Sequence, residues 1–170
     1  MQIIYKQMKK KLLLLRHAKS SWDDPSLSDY DRPLNNRGKQ NASTMGIFLK
    51  KENLIPDLII SSPAKRANKT ADIIAKKSGY DKKILESNIL YAATIENYID
   101  VIQNIKNENE IVLLVGHNPT IEDVVERIIG QRYVMKTCSL ANIDLSIDSW
   151  GKFDYGVECK LIDFIHAREL

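Results

Sequence analysis

Leu12-Leu13-Leu14-Leu15-Arg16-His17 is the stretch on which the fold prediction rests. A continuous apolar run without polar alternation is typical of a strand that is covered on both faces of a parallel sheet. The run leads into a polar segment, 18–37, that is rich in Asp, Ser and Pro. Long loops of this kind in compact domains often carry function. The stretch therefore predicts a buried strand whose carboxyl end delivers Arg16 and His17 to a functional loop.

Strand and helix patterns alternate along the rest of the chain. Apolar runs predict buried strands at 58–61 and 111–115 and a less regular strand at 84–91, and two alternating stretches, 139–147 and 156–165, predict a closing hairpin. The predicted helix N-caps are Asn35, Ser62, Thr94 and Asn118, with Pro63 and Pro119 at first helical positions and Gly79 and Gly130 at helix ends. This order predicts an α/β fold, a three-layer α/β/α sandwich with a largely parallel central sheet.

The composition restricts the class of protein. The length of 170 residues predicts one domain, over 9–170, with an N-terminal extension over 1–8. The hydrophobic fraction of 44% is enough for a packed core. The net charge is +3 and the lysines are scattered, which disfavours nucleic acid as a partner, and no apolar run approaches 18 residues, which disfavours a membrane span. Cys138 and Cys159 lack zinc-ligand spacing, so we expect reduced thiols, no metal and no cofactor in a cytoplasmic protein.

Three predicted strands end in residues that suit phosphate chemistry. Arg16 and His17 follow the first strand, Arg66 lies just beyond the second, and His117 follows the strand at 111–115. Because the carboxyl ends of parallel strands share one rim, we expect these side chains to converge. Arginines and helix N-termini bind phosphate oxygens, and a neutral imidazole is a nucleophile at phosphorus. The pattern indicates phosphoryl transfer without a metal ion.

The same stretches resemble the histidine phosphatase superfamily, the phosphoglycerate mutase-like group, and within it the small SixA-type phosphohistidine phosphatases. The resemblance runs from about Leu12 to about Ile165. The motifs that carry it are Leu14-Leu15-Arg16-His17-Ala18-Lys19, Asp31-Arg32-Pro33-Leu34-x-x-Arg37-Gly38, Ser61-Ser62-Pro63-x-x-Arg66-Ala67-x-x-Thr70-Ala71 and Val115-Gly116-His117-Asn118-Pro119. The common Arg-His-Gly of the family is Arg-His-Ala in this chain.

The resemblance implies roles residue by residue. His17 matches the phosphorylated nucleophile, Arg16 and Arg66 match the two arginines that hold phosphate, and His117 matches the second histidine. We expect His17 to be neutral and His117 to be protonated, which predicts a near-neutral optimum of activity. The predicted substrate-binding residues are Lys19, Arg32 and Ser62. Arg32 has an alternative role, since it can pair with Asp29 or Asp31 and hold the loop.

The general acid is the departure that bears on the substrate. Larger members of the family carry a glutamate with no match in this chain, and the candidates are Asp23, Asp24 or Glu86, or no acid at all. An alkoxide leaving group needs a proton, whereas an imidazole needs less help. The sequence therefore favours phosphohistidine on a protein partner, such as a histidine-phosphotransfer domain.

Two alternatives stay open, a small-molecule phosphomonoesterase and a phosphate-recognising interaction domain with little turnover. A deep pocket lined by Lys19, Arg32 and a carboxylate would favour the small ester, and an open, shallow mouth would favour a protein. We expect Trp22 to pack as an anchor of the loop rather than to line the entrance. Glu122 is expected to act on the helix dipole alone.

Overall fold

The computed structural model describes residues 10–170, so the predicted extension over 1–8 and the domain boundary at residue 9 lie outside the described residues. The strands are β1 (Lys10–Arg16), β2 (Leu58–Ser61), β3 (Leu85–Glu86), β4 (Ile111–Gly116), β5 (Ser139–Leu145) and β6 (Cys159–His166). The helices are α1 (Asn36–Lys51), α2 (Lys65–Ser78), α3 (Ile95–Gln103) and α4 (Thr120–Ile129). These elements alternate as predicted as far as α4.

The strands form one six-stranded sheet in the order β3-β2-β4-β1-β5-β6. Neighbouring strands from β3 to β1 pair in parallel, and β5 is antiparallel to both β1 and β6. The predicted α/β class and the largely parallel sheet are thus confirmed, and the closing hairpin makes the sheet mixed. In register, Arg16 lies opposite Gly116, so the carboxyl ends of β1 and β4 are adjacent.

The leucine run of β1 explains why helices cover both faces of the sheet. Side chains alternate along a strand, so Leu12 and Leu14 join one apolar cluster with α3 and α4, while Leu13 and Leu15 join the other with α1 and α2. All four leucines are fully buried. Each contributes about 1.5–3 kcal/mol of burial free energy, which holds the site-bearing end of β1 at the centre of the fold.

Several predicted helix boundaries are confirmed. The side chain of Asn35 accepts a hydrogen bond from the backbone of Gly38, and Thr94 forms a reciprocal capping pair with Asn97. Gly79 and Gly130 end their helices in the left-handed conformation.

Two of the predicted N-caps are wrong. Helix α2 has Ala64 as its N-cap, two residues beyond Ser62, and helix α4 has Pro119 as its N-cap, one residue beyond Asn118. The backbone N–H of Ser62 instead donates to Val115, which prolongs the sheet pairing beyond β2. The side-chain amide of Asn118 binds Glu122 and the Met135 carbonyl, and the Asn118–Pro119 peptide bond is cis. Ser62 and Asn118 therefore form hydrogen bonds at the carboxyl ends of the strands instead of capping the helices.

The predicted strand at 84–91 is much shorter than expected. Only Leu85–Glu86 pairs, because this edge strand has β2 as its single partner and β2 ends at Ser61. A short 3-10 turn, Asn88–Leu90, follows and buries Leu90. Within residues 10–170, no helix has the length and apolar character that a bilayer crossing requires.

Candidate active site

The predicted residues converge at the carboxyl rim of the sheet. Arg16 and His17 arrive on β1, Arg66 lies in the first turn of α2, and His117 directly follows β4. The ring centroids of His17 and His117 are 5.0 Å apart. A cavity of about 380 Å³ opens above them, and its lining residues are Arg16, His17, Lys19, Ser20, Trp22, Asp29, Arg32, Arg66, His117, Asn118 and Thr137.

His17 lies at the floor of this cavity with 7% of its surface exposed. Its Nδ1 is 2.7 Å from the carbonyl oxygen of Ala18. A carbonyl only accepts hydrogen bonds, so Nδ1 carries the proton and Nε2 carries the lone pair. Burial lowers the pKa of His17 to about 3. The hydrogen bond to Ala18 opposes this shift, whereas the charges of His117, Arg66 and Arg16 add to it. The residue is therefore neutral, as a nucleophile must be.

Arg66 connects the two histidines to the loop at the cavity mouth. Its Nε donates to His17 Nε2 over 3.2 Å, and its Nη2 lies 3.3 Å from His117 Nδ1. The same Nη2 donates to the Asp29 carboxylate over 3.0 Å, and Nη1 donates to the Asp29 carbonyl. The guanidinium is almost completely buried, and these hydrogen bonds set its orientation between the two histidines and Asp29.

The structure contradicts the expectation that His117 is protonated. Its Nδ1 faces the Arg66 donor and acts as an acceptor, while its Nε2 donates to Ser62 Oγ over 2.7 Å. Burial and then the charge of Arg66 lower the pKa of His117 to about 4, although Asp29 opposes this. His117 is therefore a neutral hydrogen-bonding group at neutral pH.

Ser62 is not a wall of the cavity, which corrects its prediction as a substrate-binding residue. Its side chain is fully buried, because the backbone continues the sheet pairing and turns the hydroxyl beneath His117. Ser62 can act on a substrate only by orienting that histidine.

Arg16 carries a buried donor, Nε, that has no partner within residues 10–170. Its Nη1, by contrast, donates to the Met135 carbonyl over 2.8 Å. Burial lowers the pKa of Arg16, and the nearby charge of Glu122 opposes that shift. Buried donors are normally paired, so the N–H at Nε is suited to an oxygen of a bound phosphoryl group.

Glu122 stabilises the position of Arg16 indirectly, in addition to the predicted interaction with the helix dipole. The Glu122 carboxylate accepts from the backbone N–H of Met135 over 2.9 Å and from the Asn118 side chain over 3.2 Å. It also pairs with Arg132 over 2.8 Å. Glu122 therefore fixes the turn whose carbonyl oxygen holds Arg16.

Lys19 and Arg32 do line the cavity, as predicted. Arg32 also pairs with Asp29 over 2.9 Å, which is the alternative role that the sequence left open. Gly38, in the same motif, packs against Lys19: a Cβ at Gly38 would lie 2.1 Å from the Lys19 carbonyl oxygen. Only glycine allows α1 to approach the start of the loop this closely.

The prediction that Trp22 is a buried anchor is wrong. The side chain is 70% exposed and stacks on the Arg32 guanidinium, 3.6 Å from its ring centroid to Cζ. A cation–π contact of this kind stabilises an exposed indole without burial. Trp22 therefore lies at the cavity entrance.

None of the three predicted acids lines the cavity. Asp23 and Asp24 line a separate depression beside the start of α1, and Glu86 is exposed and accepts from Asn68. The carboxylate at the site is Asp29, which the sequence indicated only as a partner of Arg32. Its signal was the three-residue spacing from Arg32, which does not reveal the contact with Arg66.

Both the sequence and the fold of this chain are similar to those of known proteins. A family model described as the histidine phosphatase superfamily, branch 1, matches residues 12–89. The crystal structure of SixA from Agrobacterium tumefaciens, provisionally named a phosphohistidine phosphatase, is 31% identical, with a TM-score of 0.78 over 92% of this chain and 97% of that one. The chain belongs to the histidine phosphatase superfamily. It is a phosphatase of the kind that works through a histidine.

Two further relatives extend the family comparison. An uncharacterised chloroplastic protein of Arabidopsis thaliana is 32% identical over 154 residues, which are 83% of this chain and 69% of the relative. The protein histidine phosphatase SixA complexed with tungstate is 19% identical, with a TM-score of 0.79 over 94% of this chain and 98% of that one. At that identity the likeness shows the fold alone. Among residues 10–170, no group of three or more His, Cys, Asp or Glu side chains could hold a metal ion.

Proposed function

We propose that this protein removes the phosphoryl group from phosphohistidine on a protein, by way of a phosphorylated His17. The observation that carries the proposal is the neutral imidazole of His17, whose Nε2 lone pair accepts from Arg66 Nε in the cavity, next to the unpaired buried Nε of Arg16. A fixed nucleophile next to preorganised donors is the arrangement that phosphoryl transfer needs.

The first step is attack of His17 Nε2 on phosphorus, once Arg66 Nε has turned from that nitrogen to a phosphoryl oxygen. The new N–P bond forms as the bond from phosphorus to the leaving nitrogen breaks, and that nitrogen keeps the electron pair. Arg16 Nε and the Arg66 guanidinium donate to the phosphoryl oxygens, which stabilises their charge in the transition state. The proton on His17 Nδ1 remains bonded to the Ala18 carbonyl, so the phosphorylated ring is already polarised for the second step.

The second step transfers the phosphoryl group from His17 to water. The phosphate leaves, and Nε2 recovers its lone pair. His117 is neutral and is fixed by Ser62. It can still bind a phosphoryl oxygen after rotation or proton uptake, because a bound dianion raises the pKa of a neighbouring imidazole.

A protein substrate is supported by the entrance and by the likeness to SixA. Trp22 and Tyr30, 70% and 39% exposed, present aromatic surface beside the cavity. Exposed aromatic side chains around a small polar site are typical of protein contact surfaces. The relative of 31% identity, provisionally named a phosphohistidine phosphatase, is matched over nearly its whole length.

One observation favours the alternative, a small-molecule phosphomonoesterase. Lys19, Arg32 and the Asp29 carboxylate all line the cavity, which is the combination expected for a small ester. Lys19 and Arg32 could bind a second anionic group on such a substrate. The two activities share the nucleophile and differ in the leaving group.

A substrate panel separates these candidates. Hydrolysis rates are measured for a phosphohistidine-bearing protein, for phosphoramidate and for sugar phosphates, with His17→Ala as the blank. The proposal predicts that kcat/KM is highest for the phosphohistidine protein, and a sugar phosphate that is turned over faster would support the alternative. His166→Ala is the matched control, because His166 binds Ser139 outside the cavity. If no substrate is turned over, the phosphate-recognising domain is the remaining candidate.

A further inference from the structure

The geometry of transfer places the second nucleophile at the cavity mouth. His17 lies at the floor, and in-line displacement at phosphorus puts the entering and leaving atoms on opposite sides. The leaving nitrogen of the substrate must therefore face the mouth. Water that later attacks phospho-His17 must approach from the same side, since it replaces the departed group.

Asp29 is the carboxylate on that side. Of the described residues that line the cavity, it alone carries a carboxylate. Its side chain is 54% exposed, in contrast to the 7% exposure of the Arg66 side chain that it contacts. Glu122 is also close to Arg16, but it is buried behind that arginine and is bound by Met135, Asn118 and Arg132.

Hydrogen bonds hold the Asp29 carboxylate in a fixed orientation. Oδ1 accepts from Arg32 Nη2 over 2.9 Å and from Arg32 Nε over 3.3 Å. Oδ2 accepts from Arg66 Nη2 over 3.0 Å and from the Tyr91 hydroxyl over 3.2 Å. These bonds occupy both oxygens, so a lone pair becomes available only when one donor is withdrawn.

A bound phosphoryl group can withdraw that donor. Its oxygens need the Arg66 guanidinium, which now binds Asp29 Oδ2. Once Arg66 turns to the phosphoryl group, Oδ2 has a free lone pair facing the mouth, where water enters. Partial desolvation opposes ionisation of Asp29, but Arg32 and Arg66 hold its pKa below the ordinary value. The group is therefore an ionised acceptor.

We propose that Asp29 is the general base for the water that hydrolyses phospho-His17. The inference rests on the proposed function, since it needs a phosphorylated His17. In the step, the water oxygen forms a bond to phosphorus, and the bond from phosphorus to His17 Nε2 breaks with its electron pair returning to the ring. One proton of the water passes to Asp29 Oδ2. Phosphate leaves, and Asp29 loses the proton to solvent.

A single-turnover experiment isolates this step. The enzyme is phosphorylated with phosphoramidate, the donor is removed by rapid desalting, and the decay of acid-labile phosphate on the protein is followed. General bases typically contribute 10²–10⁴-fold, so we expect Asp29→Asn to lose the phosphoryl group at least about 100-fold more slowly than the wild type. The asparagine side chain keeps one oxygen, for either Arg32 or Arg66, and takes up no proton.

Asp31→Asn is the matched control, because Asp31 lies in the same loop and binds only the exposed Ser28. It should dephosphorylate at the wild-type rate.

Three results would overturn the inference. One is an unchanged decay rate in Asp29→Asn. Another is an equal loss in the rates of phosphorylation and dephosphorylation, which would mean that Asp29 only positions Arg66. If neither protein ever carries phosphate on His17, the proposed function itself fails, and this inference fails with it.

Discussion

Lowering the pH should destabilise this protein through the two histidines at the site. Both are neutral in the folded state, with pKa values of about 3 for His17 and about 4 for His117. In the unfolded chain a histidine has a pKa near 6.5. Between these values the unfolded state binds more protons, so the free energy of unfolding falls as the pH decreases.

The magnitude follows from the number of protons. Between pH 6 and pH 5 each unfolded histidine is about nine-tenths protonated, while the folded ones remain almost fully neutral. Each should therefore contribute about 1.2 kcal/mol per pH unit in this window, and the two together about 2.4 kcal/mol. Above about pH 8 the contribution no longer changes, because the histidines are then neutral in both states.

Urea unfolding at pH 7, 6 and 5, followed by circular dichroism, measures this slope directly. His17→Asn and His117→Asn should each remove about half of the loss between pH 6 and pH 5, whatever they do to stability at pH 7. A wild-type stability that is flat across this range would refute the neutral state of both histidines. Equal slopes in the wild type and both variants would show that other groups cause the loss.

Three further substitutions test other contacts. Trp22→Ala removes the exposed stacking contact on Arg32. It should lower the free energy of unfolding by no more than roughly 0.5–1 kcal/mol and raise KM a few-fold in steady-state assays. Glu122→Gln should lower the free energy of unfolding by about 1–3 kcal/mol. It should also weaken inhibition by inorganic phosphate, because Glu122 holds Met135 and thereby Arg16. Phosphate inhibition equal to that of the wild type would refute this link. Gly46→Ala should lower the free energy of unfolding by about 1–3 kcal/mol, since its Cβ would lie 2.9 Å from a backbone carbonyl oxygen of α2. An unchanged midpoint of denaturant unfolding would contradict that packing.

The sequence predicts those parts of the molecule that depend on local pattern. The unbroken run from Leu12 to Leu15 required cover on both faces of a sheet, and the structure buries alternate leucines in two clusters. Because parallel strands end at one rim, the placement of His17 and His117 in one cavity also followed.

The remaining features depend on contacts between segments that are distant in the chain. Ser62 and Asn118 have the composition of helix caps, yet their side chains bind other parts of the rim. Trp22 has the character of a core residue, but a guanidinium ten residues away provides an exposed partner. His117 is neutral because Arg66, from another helix, faces its ring.

The position of Asp29 at the cavity also depends on contacts between distant segments of the chain. The loop contains several aspartates of similar local setting, and only the folded chain brings one of them to Arg66. Sequence spacing indicated a pair with Arg32, which is present. Which of these aspartates lies at the cavity depends on the path of the folded loop and could not be predicted from the sequence.

The most direct test of the account is the site of phosphorylation on the enzyme. After brief mixing with phosphoramidate, the protein is quenched in alkali and analysed by peptide mass spectrometry and ³¹P NMR. Because His17 Nδ1 is held by the Ala18 carbonyl, the account predicts one acid-labile phosphate on Nε2 of His17, absent from His17→Ala. Phosphate on another residue or on Nδ1, or substantial turnover by His17→Ala, would contradict it.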